Sequence, residues 1–531
     1  MGRRAFLRRA GTASAAVGAT ALVGVTGACA SAVNPSRSKD ASKGTTRRPG
    51  RSGPAAGHPR WSVLAGMLSG SLVLPGEAAY ADSALLYNEV LSPSPAAVAY
   101  CATAVDVQRC VAFARAHGVR VAARSGGHSY AGYSSCPGLV VDVSSLNRVV
   151  VATDGRHATV GAGAQLIDVY SALASAGLLV PGGSCPTVGI AGLALGGGIG
   201  VFARAYGMTC DNIAALDIVT AEGSLRTCSP HSHSDLYWAS QGGGGGNFGV
   251  VTSFTFTVHP IPAVTLFTLE WPWGAAASVL EAWLRWMPGT PHELWSNCQL
   301  ASNGASGGGF LKVTGVFAGP TSACASALAP LLAAVGAAPT YQFVGPEDYM
   351  RAVLIEAGCE GMTVAQCHLP RNPGGTLSRS AFSAKSTFVN APIPVAGSMA
   401  LIDAVDALAA DVPGVGGGIV FDGYGGVINQ VPAAGTAFVH RDAIACAQYS
   451  VSYASAMPAP SVVAAARNWL GQTQSALAPY ARGSYQNYID PTLPDWAQAY
   501  YGSNLPRLRK VKGVYDPDDF FRFAQSVPLP A

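Results

Sequence analysis

Charged side chains are scarce in this sequence. Aspartate, glutamate, lysine and arginine make up 12% of its 531 residues, whereas hydrophobic residues make up 49%. A chain so poor in charge and so rich in apolar side chains is typical of a globular protein with a large buried core. No internal repeat or low-complexity block follows residue 60, and the length allows two or three domains.

The body of the chain also lacks a concentration of positive charge. Residues 1–60 hold eleven lysines and arginines and a single acid, Asp40, so this segment carries a net charge of +10. The whole chain carries +4, and residues 61–531 therefore carry −6. A mildly acidic body offers no electrostatic footprint for DNA or RNA, and we predict no nucleic-acid partner.

The motifs of several common enzyme classes are absent. The glycine run 196–200 lacks the G-x-G-x-x-G spacing of a Rossmann turn, and no glycine run continues into the Gly-Lys-Ser/Thr of a phosphate-binding loop. A nicotinamide-dependent or ATP-dependent enzyme is therefore disfavoured. His231 and His233 stand close together but lack cysteine or acidic partners at ligand spacing, so we expect a solvated turn there and no metal site.

The basic N-terminus has the layout of an export signal. Residues 3–7 (R-R-A-F-L) resemble the twin-arginine motif, an apolar stretch follows at 10–28, and small residues around Cys29 suit cleavage before Ser31. The stretch is too weakly hydrophobic for a firm membrane span. We predict a twin-arginine signal peptide over 1–30 and a secreted or cell-envelope protein whose mature form has no stable membrane span. A lipoprotein anchored at Cys29 ranks second, and a retained anchor third.

The cysteine count fits an exported protein with one reserved thiol. Twelve cysteines are present, and removal of Cys29 with the leader leaves eleven, an odd number for a protein that enters an oxidising compartment. Cys359 and Cys367 are the best local candidates for a disulfide.

The remaining chain divides by pattern. Residues 31–60 are rich in serine, proline, glycine and basic residues, which predicts a disordered linker. Residues 61–260 begin with a strand–helix–strand pattern, in which Thr103 and Asp106 form a capping box. Residues 261–478 show period-two segments such as Val420/Asp422/Tyr424 between helical stretches, as expected of an antiparallel sheet with one wet face. Residues 479–531 are expected to return to the first domain.

Three glycine-rich clusters stand out from this background. The first spans residues 125–128, the second runs from 182 to 200, and the third covers 242–249. Glycine lets backbone N–H groups approach an anion closely. Each cluster alone is a weak signal, since glycine runs are often plain loops, but three such turns gathered together could wrap a pyrophosphate.

The motifs around these clusters resemble the berberine bridge enzyme-like family of the vanillyl-alcohol oxidase/p-cresol methylhydroxylase superfamily. They are R-S-G-G-H-S-Y at 124–130, G-G-S-C-P-T-V-G at 182–189, D-L-Y-W-A-S-Q-G-G-G-G-G-N-F-G-V-V at 235–251 and Y-Q-N-Y-I-D at 485–490. The resemblance covers about residues 80–531. It implies an α+β fold in which a two-part FAD-binding domain of the p-cresol methylhydroxylase type is joined to a second substrate domain of antiparallel sheet and helices.

The resemblance also implies FAD as cofactor, attached twice. His128 matches the histidine bonded to the 8α-methyl of the flavin, and Cys185 matches the cysteine bonded to flavin C6. Imidazole nitrogen and thiolate are nucleophiles able to add to an oxidised flavin. The plainer interpretations are a hydrogen-bonded loop histidine and a buried or disulfide-bonded cysteine. The other predicted cofactor contacts are Ser125, Gly126, Gly127, Ser129, Val188, Gly189, Gly192, Asn247, Tyr485 and Asn487.

Two residues match the catalytic positions of the family. Asp422 stands at its acidic position and Tyr488 at its catalytic tyrosine. A free phenol has a pKa of about 10, so a carboxylate that accepts its hydrogen bond would help it to take a proton from substrate. The plainer interpretations are that Asp422 caps a turn and that Tyr488 packs in the core.

Together these features predict an exported FAD-linked oxidase. Val188 resembles the residue found at its position in the oxygen users of the family, which favours O2 as acceptor and H2O2 as product. The small-molecule substrate is expected to be a sugar or a glycosylated natural product oxidised at a hydroxyl. The alternatives are a dehydrogenase or oxidative ring-closing enzyme on the same scaffold, and a flavin-binding protein without catalysis. The sequence assigns no oligomeric state.

Overall fold

A computed structural model describes residues 59–303 and 308–530. The predicted signal peptide, nearly all of the predicted linker and Cys29 lie outside the described residues. Over the ranges that are described, no helix combines the length and apolar character needed to cross a bilayer.

The first domain contains two larger sheets and a two-stranded sheet. One sheet has four strands in the order β1-β2-β4-β3. In this sheet, β2 and β3 each pair with β4 in parallel, and β1 pairs with β2 in antiparallel orientation. An antiparallel five-stranded sheet has the order β5-β6-β10-β8-β9, and β7 pairs with β11. The strands are β1 (Ser71–Val73), β2 (Ala97–Tyr100), β3 (Val121–Arg124), β4 (Leu139–Asp142), β5 (Val149–Val151), β6 (His157–Gly161), β7 (Leu178–Leu179), β8 (Ile213–Val219), β9 (Leu225–Cys228), β10 (Val250–Thr257) and β11 (His259–Pro260). The helices are α1 (Trp61–Met67), α2 (Tyr80–Ala84), α3 (Ala104–Ala116), α4 (Leu166–Ala174), α5 (Ile190–Leu195), α6 (Ala203–Tyr206) and α7 (Ser234–Ala239).

The start of α3 shows how local sequence sets these elements. The Thr103 hydroxyl accepts a hydrogen bond from Asp106 N at 3.1 Å, and the Asp106 carboxylate accepts from Thr103 N at 3.2 Å, so the predicted capping box is present. Asp106 also accepts from Ser69 N and Gly70 N. These backbone hydrogen bonds lower the pKa of Asp106 despite its burial. One carboxylate thus fixes both the helix start and the preceding chain.

The second domain is a seven-stranded antiparallel sheet with four helices on one face and a fifth helix that packs against the first domain. Its strand order is β15-β12-β14-β13-β17-β18-β16. The elements are β12 (Val264–Glu270), α8 (Ala276–Trp286), β13 (Leu294–Ser302), β14 (Gly309–Phe317), α9 (Thr321–Val335), β15 (Tyr341–Glu347), α10 (Tyr349–Glu356), β16 (Phe382–Val389), α11 (Val395–Asp411), β17 (Val415–Gly423), β18 (Ala445–Tyr453) and α12 (Pro460–Leu477). The predicted α+β class is confirmed.

The prediction that this sheet has one wet face is wrong for its central strands. Every residue of β13 but Ser302 is buried. Phe421 and Tyr449 point to one side, into the core formed with α8, α9, α11 and α12. Phe388 and Cys446 point to the other side and belong to the core of the first domain. The polar alternate residues are therefore covered by the first domain instead of by water.

The C-terminal segment adds helices α13 (Trp496–Tyr501) and α14 (Leu505–Tyr515) and packs on the first domain. Lys512 on α14 is fully buried and donates hydrogen bonds to the Asn247 and Phe521 carbonyl oxygens and to Asp516. Because a buried ammonium needs such partners, this lysine fixes the segment against the third glycine cluster.

Candidate active site

One large cleft lies between the glycine clusters of the first domain and the polar face of the second-domain sheet. The structure brings every predicted site residue to the wall of this cleft. These residues are Ser125, Gly126, Gly127, His128, Ser129, Cys185, Val188, Gly189, Gly192, Asn247, Asp422, Tyr485, Asn487 and Tyr488.

The three glycine clusters meet where side chains would not fit. A Cβ on Gly126 would lie 2.3 Å from Gly189 N, and one on Gly189 would lie 2.0 Å from Ser125 Oγ. Gly192 faces open space toward Gly245, whose Cβ would lie 3.8 Å from Gly192 Cα. The first two clusters therefore touch backbone to backbone, and the third approaches the second, which leaves main-chain groups exposed to a ligand in the cleft.

Unpartnered polar atoms in the same wall fit a large polar cofactor. Arg124 donates from Nε to Asp142 at 2.5 Å, but its buried Nη1 and Nη2 have no hydrogen-bond partner. Trp295 Nε1 and Gln486 Oε1 are likewise buried without a partner and line the cleft. Buried polar atoms normally find partners, so these nitrogen donors and the Gln486 acceptor beside a glycine cradle suit the phosphates and ring edges of FAD.

His128 is held in one orientation and kept neutral. Its ring stacks on Tyr87 with centroids 3.9 Å apart, and its Nε2 lies 2.9 Å from Thr187 Oγ1. Burial, with a smaller contribution from the charge of Arg371, lowers the pKa of His128 to about 3. A neutral imidazole with one nitrogen engaged by Thr187 has a lone pair available for bond formation.

Cys185 lies 57 residues further along the chain in the same cleft wall. Its sulfur is disulfide-bonded in this structure. The predicted bridge between Cys359 and Cys367 is present, with Cα atoms 5.9 Å apart.

Several predicted cofactor contacts have their side chains engaged by the protein itself. Asn247 Nδ2 donates to Gly243 O at 2.9 Å, and its Oδ1 accepts from Val527 N at 2.8 Å. Tyr485 OH accepts from Gly198 N at 2.7 Å, and Asn487 Nδ2 donates to Leu193 O at 3.0 Å. These side chains fix the shape of the second and third clusters, so their contribution to binding is mainly structural.

Asp422 sits near the end of β17, between Asn297 of β13 and Cys446 of β18. It lies within the strand, and no turn cap involves it among the described residues. Burial raises the pKa of Asp422 to about 7, and the charge of Glu356 adds to this increase. A carboxyl group that titrates near neutral pH is suited to proton transfer.

Tyr488 projects into the cleft from the C-terminal segment. Its ring stacks on Tyr130 with centroids 5.4 Å apart and meets Tyr485 edge-on at 5.0 Å. Burial raises the pKa of Tyr488 well above its usual value, and the charge of Asp422 adds to it. The expected hydrogen bond from Tyr488 to Asp422 is not formed within the described part of the chain, because the two tyrosines fix the ring.

Sequence reasoning missed four polar cleft residues of the sheet and its surroundings. Gln448 donates from Nε2 to Tyr130 OH at 2.7 Å, and Asn297 accepts from Thr314 Oγ1 at 2.8 Å. The other two are Tyr130 and Glu356, the last residue of α10. The alternation of β18, with Cys446, Gln448 and Ser450 on one side, was a usable signal for Gln448. His231 is exposed, and no group of three metal-binding side chains occurs in the described ranges.

Comparisons with known proteins agree with this site. A family model described as an FAD binding domain matches residues 95–229, and one described as berberine and berberine like matches residues 484–528. An uncharacterised FAD-linked oxidoreductase of Bacillus subtilis is 32% identical over 466 residues, which cover 87% of this chain and 97% of that protein. The xylooligosaccharide oxidase of Thermothelomyces thermophilus is 31% identical over 83% of this chain and 88% of its own.

A solved structure gives the same result for the fold. The BBE-like 1 protein of Physcomitrella patens superposes with a TM-score of 0.80 at 30% identity, covering 88% of this chain and 99% of that one. Identity at this level over nearly the full length of the relatives, together with the two family models, shows the family. This chain belongs to the berberine bridge enzyme-like FAD-linked oxidoreductases.

Proposed function

We propose that this protein is an exported oxidase that removes two electrons from a sugar hydroxyl, of the secondary or hemiacetal kind, and forms H2O2 from O2. The observation that carries this proposal is the joint position of Asp422 and Tyr488 in the wall of the glycine-lined cleft. The likeness to a xylooligosaccharide oxidase supports a carbohydrate substrate.

FAD, when bound, supplies the hydride acceptor and the reaction with oxygen. The protein must supply a base for the hydroxyl proton, because hydride leaves carbon readily only as that proton leaves oxygen. Asp422 accepts the phenol proton of Tyr488 as the Tyr488 oxygen takes the proton of the substrate hydroxyl, so the proton ends on the carboxyl group. Tyr488 and Asp422 are not hydrogen-bonded in this structure, so the two side chains must approach for this transfer. With a pKa of about 7, Asp422 is partly ionised at neutral pH and can fill this role.

We also propose that His128 and Cys185 hold FAD covalently. In the tautomer that carries its proton on Nε2, His128 can donate to Thr187 Oγ1, and the Nδ1 lone pair is then left for the 8α carbon of the flavin. Cys185 is the partner for C6. One sulfur atom cannot keep a disulfide and also bond the flavin, so this second attachment requires an external thiol to reduce the disulfide first and free the Cys185 thiol.

Acid denaturation of the holoprotein is expected to leave the yellow pigment with the polypeptide, since a covalent bond survives unfolding. Either His128→Ala or Cys185→Ser alone should retain pigment through the other bond, and the double variant should release FAD into the supernatant. Mass spectrometry of a digest should find the peptides that carry His128 and Cys185 joined through one flavin. His157→Ala, at a histidine outside the cleft wall, is the control, and a colourless precipitate from the unsubstituted protein would exclude both attachments.

Val188 is expected to set the reaction with oxygen. Val188→Leu adds bulk to the cleft wall and should slow reoxidation of the reduced enzyme by O2 about tenfold or more, equivalent to about 1.4 kcal/mol in the barrier. The measurement is stopped-flow reoxidation. Anaerobic reduction by substrate, and turnover with an artificial electron acceptor, should remain unchanged and serve as controls. Equal oxygen rates in both proteins would remove Val188 from this role.

A panel of sugars and glycosides tests the function as a whole. Anaerobic mixing should bleach the flavin with at least one sugar, and aerobic turnover should release one H2O2 per sugar oxidised. Bleaching without peroxide would indicate a dehydrogenase. Flavin that no compound in a broad panel reduces would support a binding protein without catalysis.

Export is proposed on the twin-arginine pattern of residues 3–7. N-terminal sequencing of the protein recovered outside the cytoplasm should begin near Ser31. Retention of the leader in that material, or a lipid on Cys29, would replace this proposal with the corresponding anchored form.

A further inference from the structure

Glu356 is a second carboxyl group in the cleft, and the proposed reaction does not use it. It is the last residue of α10 and lines the same cleft as Asp422. Across the described ranges its side chain makes no hydrogen bond or ion pair, although Lys312 is close enough to act on it electrostatically. Burial raises the pKa of Glu356 to about 7.

This placement is unfavourable for stability. The C-terminal end of a helix carries partial negative charge, so a carboxylate there is destabilising, and half-burial without a hydrogen-bond donor adds to the cost. The neighbouring chain nevertheless fixes the residue firmly. The Cys359–Cys367 disulfide begins three residues after Glu356. His368 Nε2 lies within hydrogen-bond distance, 3.1 Å, of the Asp168 carboxylate on α4. A costly group held rigidly in a cleft indicates a role in ligand binding.

The groups around Glu356 offer both donors and acceptors to a ligand. Asn297 Oδ1 is occupied by Gln299 and Thr314, which leaves its Nδ2 as a donor. Gln448 Nε2 is occupied by Tyr130, which leaves its Oε1 as an acceptor. A wall of this kind matches the hydroxyl groups of a sugar.

The charge of the cleft wall is one-sided. Asp422 and Glu356 both contribute carboxyl groups. Among the described residues that line the cleft, Arg124 is the only lysine or arginine, and its guanidinium already pairs with Asp142. A carboxylate on the substrate would therefore meet two acids in the cleft wall, while Lys312, which acts on Glu356 electrostatically, lies outside that wall.

We propose that Glu356 is a substrate-binding residue whose carboxylate accepts a hydrogen bond from a hydroxyl or protonated amine of the sugar, and that it excludes sugars carrying a carboxylate. This rests on the proposed sugar oxidase function. Asp422 and Tyr488 act at the carbon that is oxidised, and Glu356 contacts a different group of the same substrate.

The test compares three probes that share one skeleton: cellobiose, its uronic acid and its amino-sugar counterpart. The unsubstituted holoenzyme should use cellobiose and the amine with a kcat/KM about 10- to 100-fold above that for the uronic acid, the range expected for a hydrogen bond to a charged group. Glu356→Gln keeps the shape and an acceptor oxygen but loses the charge. It should remove most of this discrimination. Glu356→Ala should raise KM for cellobiose about tenfold while kcat changes little.

A pH profile separates this role from a merely structural one. The charge of Glu356 helps to raise the pKa of Asp422, so Glu356→Gln should move the acid limb of kcat/KM to lower pH. Tyr130, Tyr488 and Cys446 also interact with Asp422, but burial raises the pKa of each, so none titrates in this window. Lys312 is present in both the unsubstituted enzyme and Glu356→Gln, so its positive charge does not contribute to the difference between their pH profiles. Glu360→Gln, four residues along on the exposed surface, is the charge-matched control and should leave selectivity and pH profile unchanged.

The two proposals fail in different ways. If sugars reduce the flavin but Glu356→Gln keeps the original preference and pH limb, the role of Glu356 is overturned and the oxidase function stands. If no probe reduces the flavin, perturbation of the flavin spectrum still reports binding. Binding that favours the uronic acid, or no binding of any of the three sugars, would overturn the inference for Glu356.

Discussion

Tyr488→Phe is expected to lower kcat by about 10²- to 10⁴-fold, the usual contribution of a positioned proton-transfer group. The substitution removes one hydroxyl and keeps the ring that stacks on Tyr130 and meets Tyr485, so the cleft should keep its shape. The measurement is the anaerobic rate of flavin bleaching at saturating sugar. That rate isolates substrate oxidation from the later reaction with oxygen.

Asp422→Asn should cause a loss in the same range, because the two groups act as one unit. The double variant is then expected to lose little more than either single variant, since removal of one member already disables the pair. Tyr453→Phe is a suitable control, because its hydroxyl bonds Ser383 at the far end of β18 from the cleft. A Tyr488→Phe enzyme that bleaches its flavin at nearly the original rate would assign the base to another residue.

The pH dependence of the remaining activity distinguishes the two partners. Asp422 accepts a proton only when ionised, so kcat/KM should rise with pH through about 7 in the unsubstituted enzyme. Asp422→Asn removes that group, and the limb near pH 7 should disappear when it is combined with Glu356→Gln, because Glu356 also has a pKa of about 7. Tyr488→Phe should retain the limb, because the carboxyl group still titrates beside the substrate.

Local sequence patterns, together with the family resemblance of the motifs, predicted much of the fold and many residues that line the cleft. The strand–helix–strand start depends on a capping box between Thr103 and Asp106, three residues apart, and such short-range signals are readable from sequence. The glycine clusters and His128 lie in continuous motifs for the same reason. The polar face of the second sheet was only partly predicted, because its period-two pattern shows which residues share a face but not what covers that face.

The residues that were missed owe their positions to contacts between distant parts of the chain. Gln448 donates a hydrogen bond to Tyr130, which lies 318 residues away in the sequence. No pattern in either segment indicates that the other residue is its partner. Glu356 ends a helix with no motif, and its role in the cleft follows only from the packing of α10 on α4. The hydrogen bond expected from Tyr488 to Asp422 is absent from this structure, where the Tyr488 ring instead packs on Tyr130 and Tyr485. These contacts too could not be predicted from local sequence. Packing between distant parts of the chain therefore fixed the positions of side chains that no local sequence pattern could predict.

Arg204 shows how the two domains are held in register, and its loss should be among the most destabilising single changes. This side chain on α6 is 1% exposed and donates to Leu294 O at 2.7 Å, Thr290 Oγ1 at 2.7 Å and the Tyr424 carbonyl oxygen. Burial lowers the pKa of Arg204 to about 10, so it stays charged at neutral pH. Because Tyr424 is two residues beyond Asp422, the arginine also fixes the end of the strand that carries the proposed catalytic carboxyl group.

Arg204→Met is expected to lower the free energy of unfolding by about 3–5 kcal/mol, because hydrogen bonds to a charged group are worth about 1.5–3 kcal/mol each and buried carbonyls would be left without donors. Arg204→Lys should recover only part of this, since one ammonium cannot reach acceptors spread around a planar guanidinium. Urea unfolding followed by tryptophan fluorescence measures the change. Arg285→Met removes an exposed arginine of α8 and should shift stability by at most about 0.5 kcal/mol. If Arg204→Met unfolds at the same urea concentration as the unsubstituted protein, the domains are held together by their apolar contacts alone, and the guanidinium contributes only to the position of Asp422.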